Sequence, residues 1–404
     1  MARKSTEFSK KLIVLGILMH KKVVFGAAFH WRSHLHIGSH QYAKQFARTG
    51  YKVAYISEPI SPFHYFFARD RSVLKEKHRS WFSGGNWVEK EKIWAYVPFT
   101  LLPGYVKPFY QSRWIMDNSH HFTIPQINQM CKKNDFEHAD LVFLDEAFGY
   151  LLDIISYEKC VLRIHDDLSY LFNKGFKNFL RLEKDVMKKV DLVIIVNPLL
   201  EAVVKEMGAN RVIYIPNGAD FDHFFYGSNI MPPEYSNVPA PRVIYVGSIN
   251  YWLDLDLIAY SAKKLSHVSF ILIGNPMIDI KNILSLPNVF VLGKRNHEIL
   301  PQYIKNANVG IIPWRADLSR TIFSHPIQFY EYMACGIPVI STKWPELESF
   351  ESPAYLASTY EEFVRYIEDS IEENDQVRTR NIEFARNNSW ENRFGRLIKA
   401  LYPN

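Results

Sequence analysis

From residue 21 onward the chain alternates short, continuously apolar runs with amphipathic stretches. KKVVFGAAF (21–29) reads as a strand, HIGSHQYAKQFARTG (36–50) as a helix stopped by Gly50, and YKVAYIS (51–57) as the next strand. The second half repeats the rhythm: RVIYVGSI, a helix near 254–265, VSFILIG, NVFVLG, a helix near 297–306, VGIIPW, a helix near 326–334 and the strand PVIST. Strands apolar on both faces that alternate with helices predict a parallel sheet covered on both sides. The α/β pattern occurs twice, so two domains are expected. The first spans 1–225. A proline-rich, aperiodic stretch at 226–241 reads as a linker, and 242–388 forms the second domain. The amphipathic end, 389–404, is expected to be a helix packing back on the first domain. Ligands of such sheets bind at the carboxyl ends of the strands, so two facing sheets would enclose a cleft.

Composition narrows the class. The chain has 404 residues, 48% hydrophobic and 22% charged, which suits sizeable cores and excludes disordered, collagen-like and repeat classes. The net charge of +6 is unevenly spread. Residues 1–115 hold 19 Lys/Arg against 6 Asp/Glu, whereas the remainder holds 29 against 36. The basic part includes 60–115, which breaks the rhythm with 14 aromatics and nine Lys/Arg against four acids. That mixture suits either the anionic interface of a membrane or an aromatic core under a long insertion. Cys131, Cys160 and Cys335 are too few and scattered for a disulfide framework or zinc site, which points to a reducing, cytoplasmic location. No run reaches the ~18–20 apolar residues of a membrane span. Residues 12–19, flanked by lysines, resemble a signal-peptide core without its cleavage site, so they read as an uncleaved leader that could lie on a surface, with an export signal as the alternative. The expected location is therefore the cytoplasm, peripheral to the inner face of the membrane.

Several signals are absent or misleading. There is no G-x-x-x-x-G-K-[ST] and no G-x-G-x-x-G, which removes P-loop enzymes and standard dinucleotide enzymes. Asp254-Leu-Asp256 looks like a metal motif but opens a helix, where an aspartate is a cap. Neither His34, His36 and His40 nor His120-His121 has a matching Cys or carboxylate cluster, so no metal site and no cofactor are expected. His34 and His36 follow the first strand. They are candidates for acceptor or phosphate contact, with solvated loop histidines as the alternative.

The most informative stretch is Ser324-His-Pro-Ile-Gln-Phe-Tyr-Glu331-Tyr-Met-Ala-Cys-Gly336-Ile-Pro338-Val-Ile-Ser-Thr. A proline fixes the start of a helix, with Ser324 or His325 as cap. The N–H groups and dipole at that start suit a pyrophosphate. Glu331, one to two turns along, could accept both hydroxyls of a ribose, and Gly336 stops the helix. This segment resembles the donor-binding signature of GT-B glycosyltransferases. In order, Ile215-Pro-Asn217-Gly218-Ala-Asp220 resembles the family's end of the first domain, Arg242–Ile249 the strand and glycine loop that open the second, and Leu286–Gly293 and Val309–Trp314 two of its strands. The resemblance implies two Rossmann-like domains facing across a cleft, with a nucleotide-diphosphate sugar, expected to be a UDP-sugar, on the second. It places Glu331 on the ribose, with Lys294, Arg295 and Trp314 around the base. Gly247, Ser248 and the turn His325-Pro326-Ile327-Gln328 face the diphosphate. Three departures stand out: Gln328 replaces the family's lysine, Phe323 replaces a glutamate, and 249–255 lacks an Arg/Lys pair. Arg315, Arg320 and His325 are the candidates for the missing charge.

In the first domain, Val161-Leu-Arg163-Ile-His165-Asp166-Asp167-Leu-Ser runs from a strand into a polar turn, where a catalytic group should sit. It resembles the motif of xanthan-type inverting glucuronosyltransferases, which implies that Asp166 is the base that takes the acceptor's proton. Arg163 would stand on the acceptor side. In retaining relatives a histidine at a similar turn contacts the sugar, which would favour His165, and a purely structural turn remains open. The sequence thus reads as a metal-independent glycosyltransferase acting on a glycan or lipid-linked acceptor at an anionic membrane. A nucleotide-sugar epimerase is the alternative enzyme. A nucleic-acid-binding protein is disfavoured, because no nucleic-acid module accompanies the basic quarter.

Overall fold

A computed structural model of the chain describes residues 21–33, 38–67, 71–88, 92–102, 112–145, 148–165, 177–318, 325–372 and 374–403. The chain divides into two compact units. The first comprises residues 1–215 and 398–404, and the second comprises 216–397. The apolar stretch 12–19 lies outside the described residues. Among the described residues, no helix is long and apolar enough to cross a membrane.

The first unit is built on an eight-stranded sheet. Its strands are β1 (Lys22–Ala27), β2 (Lys52–Ser57), β3 (Asn86–Val88), β4 (Ile93–Tyr96), β5 (His138–Asp145), β6 (Ser156–Ile164), β7 (Leu192–Ile195) and β8 (Val212–Tyr214). The order is β3-β4-β2-β1-β5-β6-β7-β8. β3 pairs antiparallel with β4, and the other pairings are parallel. β1, β2, β5, β6 and β7 bury nearly every side chain from their second half onward, as strands covered on both faces must. The insertion 60–115 therefore contributes β3 and β4 to one edge of the sheet and the helix Arg71–Phe82 above it. Leu74 of that helix packs with Ile60 and Val97, with Trp81 and Phe99 at the margin. The final helix, Trp390–Leu401, ends in this unit. Lys159 Nζ donates to Leu401 O at 2.6 Å and Arg211 to Ala400 O at 2.7 Å. Both cations meet carbonyls that a helix leaves open at its negative end.

The second unit holds β9 (Arg242–Val246), β10 (Ser269–Ile273), β11 (Val289–Val291), β12 (Val309–Ile312), β13 (Val339–Thr342) and β14 (Tyr355–Ala357). They pair in parallel in the order β11-β10-β9-β12-β13-β14. Successive residues go to opposite layers. Ile244, Val246, Ile271 and Ile273 join one core, whereas Val243, Tyr245, Phe270 and Leu272 join the other. Asp254 caps the helix Leu255–Lys264, its Oδ1 accepting from Leu257 N at 2.9 Å. Its Oδ2 accepts from Tyr360 at 2.8 Å.

The stretch 226–241 is not a linker, and the break falls at 215/216 instead of at 225. Its prolines set a 3₁₀ turn, Pro233–Asn237, that drives Tyr235 into the second core at 1% exposure. The Tyr235 hydroxyl donates to Tyr303 O at 3.0 Å, and the Arg242 guanidinium lies 4.9 Å from its ring. Aperiodicity misled because one buried aromatic, rather than a repeating pattern, ties the segment down. The second unit likewise ends at 397, nine residues beyond the expected 388.

One contact seats the helix Ile327–Ala334 against the sheet. β12 pairs with β9 only as far as Gly310 opposite Ile244, so Val246 N–H finds no strand partner on that side. It donates instead to the Tyr332 hydroxyl at 2.7 Å. Gly310 makes the room, since a Cβ there would lie 2.4 Å from the Tyr332 ring. Tyr332→Phe is expected to leave this buried N–H unpaired and to lower stability by about 1–3 kcal/mol. A thermal unfolding midpoint equal to wild type would refute the role given to this hydroxyl.

Candidate functional site

Two groups of polar residues gather at strand ends, one in each unit. In the first, the β5–β6 register sets Asp145 opposite Arg163. Side chains alternate along a strand, so His165, two residues on, falls on the same side as Arg163. Arg163 Nη1 donates to Asp145 Oδ1 at 3.2 Å, and His165 Nδ1 lies 3.1 Å from the same oxygen. Asp145 has no exposed surface. Burial pushes its carboxyl up, but His165 and Arg163 pull harder and hold it well below the usual carboxylate range. The ionised Asp145 thus faces His165 Nδ1, and an imidazole set beside a carboxylate in this way can exchange a proton at Nε2. The helix Gly38–Arg48 closes in from the side. A Cβ on Gly38 would sit 2.6 Å from the Arg163 guanidinium carbon. Ser39 Oγ bonds the Tyr55 hydroxyl at 3.1 Å, which bonds His40 Nδ1 at 3.3 Å. Burial lowers the His40 pKa to about 3, so this imidazole is neutral.

In the second unit the turns after β9, β10 and β11 interlock. Gly247 N donates to Ile273 O at 2.9 Å and Gly274 N to Gly293 O at 3.1 Å. A Cβ on Gly274 would fall 1.8 Å from Gly247 O. Gly247 itself is flanked by the Tyr245 hydroxyl and by Gln328 Nε2, 2.7 and 3.0 Å from where its Cβ would be. The start of the helix Ile327–Ala334 thus abuts the glycine turn. The helix stops where Gly336 takes φ +83°. Glu331 is largely buried on this helix, 3.8 Å from His297 Nε2, and His297 stacks on His223 at 4.5 Å.

Residues 240–373, inside the second unit, match the family model for group 1 glycosyl transferases. A 154-residue region is 25% identical to TuaH of Bacillus subtilis (strain 168), provisionally named a teichuronic acid biosynthesis glycosyltransferase. The match covers 36% of this chain and 38% of that relative. Two solved structures follow nearly the whole chain. Sucrose-phosphate synthase from Thermosynechococcus elongatus matches with a TM-score of 0.63 at 16% identity, over 94% of this chain and 99% of its own. HepE of Anabaena, in complex with UDP-glucose, matches with a TM-score of 0.62 at 16% identity, over 95% and 99%. The chain has the GT-B fold.

Within this GT-B chain the expected site residues meet different fates. Asp166, His34, His36 and Arg320 lie outside the described residues, as does Ser324. Gly247, Ile327, Gln328 and Glu331 come together as set out above, with Ser248 exposed beside Gly247 and Lys294 half-buried after the Gly293 turn. Arg315 is exposed, 3.5 Å from Asp317. The Trp314 ring stacks at 5.8 Å on buried Trp344 and packs against both cores.

Arg295, next to Lys294, bonds Glu234 Oε1 at 2.8 Å and the Tyr303 hydroxyl at 2.9 Å. Two expectations need correction. Arg163 was placed on the acceptor side, but its side chain is only 2% exposed and serves Asp145. His325 neither caps the helix, whose N-cap is Pro326, nor reaches a surface. Its Nδ1 lies 3.1 Å from Glu346 Oε1 and its Nε2 lies 2.7 Å from the Tyr330 hydroxyl, while its carbonyl accepts from Asn217 Nδ2 at 2.8 Å.

Asp145, Ser39, Tyr55 and His297 were missed in the sequence. The one available signal was that Asp145 ends an apolar run, ADLVFLD, much as His165 does. Glu346, also missed, is pushed up to about 9 by burial. It is therefore a neutral acid at pH 7, 3.1 Å from His325 Nδ1. The folded state holds this proton over a range where the unfolded chain has lost it. The contribution to stability is thus full below the ordinary carboxylate range and declines as pH rises toward 9. In Glu346→Gln the amide can still donate but cannot titrate. Compared across pH 5–9 by thermal unfolding, the variant should lose less stability than wild type on going alkaline. Parallel curves would contradict the assignment.

Proposed function

We propose that this protein is a glycosyltransferase that moves a sugar from a UDP-sugar to a hydroxyl of a glycan or lipid-linked acceptor, in surface polysaccharide or glycoconjugate synthesis. The observation that carries the reading is the joining of the Gly247 turn, the start of the helix Ile327–Ala334 and Glu331, within the stretch that matches the group 1 family. N–H groups at a helix start suit a diphosphate, and a carboxylate one turn further suits the hydroxyls of a ribose. HepE's complex with UDP-glucose and TuaH's name support the donor and the pathway class. Both carboxylate oxygens of Asp254 are engaged by Leu257 N and Tyr360, so the reading assigns no divalent metal to that motif. The buried free cysteines fit a reducing compartment.

For the chemistry, Asp166 acts as the base. It accepts the acceptor hydroxyl's proton while the oxygen attacks the anomeric carbon and the nucleoside diphosphate leaves, with inversion. The Asp145–His165 pair favours a second reading in which His165 contacts the transferred sugar and configuration is retained.

UDP or a UDP-sugar should raise the thermal midpoint more than GDP, CDP or ADP counterparts. Glu331→Ala should weaken that binding about tenfold or more, the range for a lost hydrogen bond to a charged group. Asp166→Asn should abolish transfer while leaving nucleotide binding intact. Loss of transfer in His165→Ala together with an active Asp166→Asn would select the retaining reading. If no nucleotide diphosphate stabilises the protein, the donor assignment fails.

A further inference from the structure

The insertion in the first unit leaves large apolar side chains mostly in water. Phe66 and Phe82 are 82% and 81% exposed, and Trp114 is 59% exposed. A chain of contacts connects them. Tyr65, beside Phe66, bonds His78 Nδ1 through its hydroxyl, and the His78 ring lies parallel to Phe82 at 6.5 Å. Neighbouring Trp81 donates its indole N–H to Ile124 O. From there the backbone pairing of Leu101 with Phe122 leads to Trp114, whose ring lies 6.3 Å from Phe122.

The charge along the helical stripe that carries Phe82 is one-sided. On the helix Arg71–Phe82, positions 71, 75, 79 and 82 fall along one stripe, and Arg71, Lys75, Arg79 and Phe82 are all exposed. Glu76 points instead toward His30, 3.3 Å away, and Lys77 is drawn aside to Glu58. The inward side holds Leu74 and Trp81. The helix is thus anchored by a short apolar edge and presents three cations and a phenylalanine to solvent.

We propose that this face docks on an anionic phospholipid bilayer, with Phe66, Phe82 and Trp114 entering the headgroup boundary and Arg71, Lys75 and Arg79 meeting lipid phosphates. Exposed aromatics suit the interfacial zone. Each cation near an anionic leaflet adds about 1 kcal/mol, and apolar burial makes the contact outlast simple counterion attraction. The proposal deepens the reading of a lipid-linked acceptor and rests on it for its purpose.

The test uses the full chain in vesicle flotation, with phosphatidylcholine alone or mixed with phosphatidylglycerol, at low and high salt. Wild type should float with the anionic vesicles only, and less so in high salt. The double variant Phe66→Ser/Phe82→Ser and the triple variant Arg71→Glu/Lys75→Glu/Arg79→Glu should each lose binding at least tenfold while keeping the UDP-induced thermal shift. If the double variant misfolds and loses that shift, the triple variant decides. Wild type that ignores anionic vesicles, or variants that bind like wild type, would overturn the proposal. So would a dimer in light scattering that the double variant dissolves. Vesicle binding without a UDP shift in wild type would instead sink the donor reading and leave this surface standing.

Discussion

A carboxyl group removed from water must either be paired with cations or give up its charge. The two units take opposite courses, and much of their strand-end architecture follows. Asp145 keeps its charge because the β5–β6 register delivers Arg163 beside it and His165 just beyond. Keeping Arg163 buried requires a glycine at 38, where a methyl group would strike the guanidinium. Glu346 meets His325, and burial leaves it protonated. A charged cluster therefore lies at the ends of β5 and β6, and a hydrogen-bonded chain lies under the second unit's helix start. The first can orient a group that handles protons, while the second fixes backbone without adding charge.

The same contrast explains which features could be read from sequence. Parallel strands buried on both faces announce themselves as continuous apolar runs, so β1, β2, β9, β10 and β12 were plain. Asp254 was recognisable as a cap because capping is decided within four residues. Tyr235, Asp145 and His325 were not recognisable. Their roles depend on Tyr303, Arg163 and Glu346, which lie 68, 18 and 21 residues away. His325 shows the difficulty best. Beside Pro326 it looks locally like a helix cap, and only the return of the chain after β13 encloses it. Family resemblance brought the donor segment into view, but it could not say which of its cations were already committed elsewhere.

That commitment bears on how a diphosphate would be held. The lysine expected in the signature is Gln328, whose amide nitrogen lies against Gly247. Arg295 is spent on Glu234 and Tyr303, and His325 is sealed in the core. Among the described residues, Arg315 is the exposed cation on the turn after β12, and Lys294 is half-buried after Gly293. A site built in this way would hold its anion mainly through oriented N–H dipoles. Dipoles fixed in place need no reorganisation as charge develops on a leaving diphosphate, so a low cation count is compatible with catalysis. What such a site demands is rigidity. The glycine turns locked edge to edge, and Tyr332 clamping the helix to the end of β9, supply it.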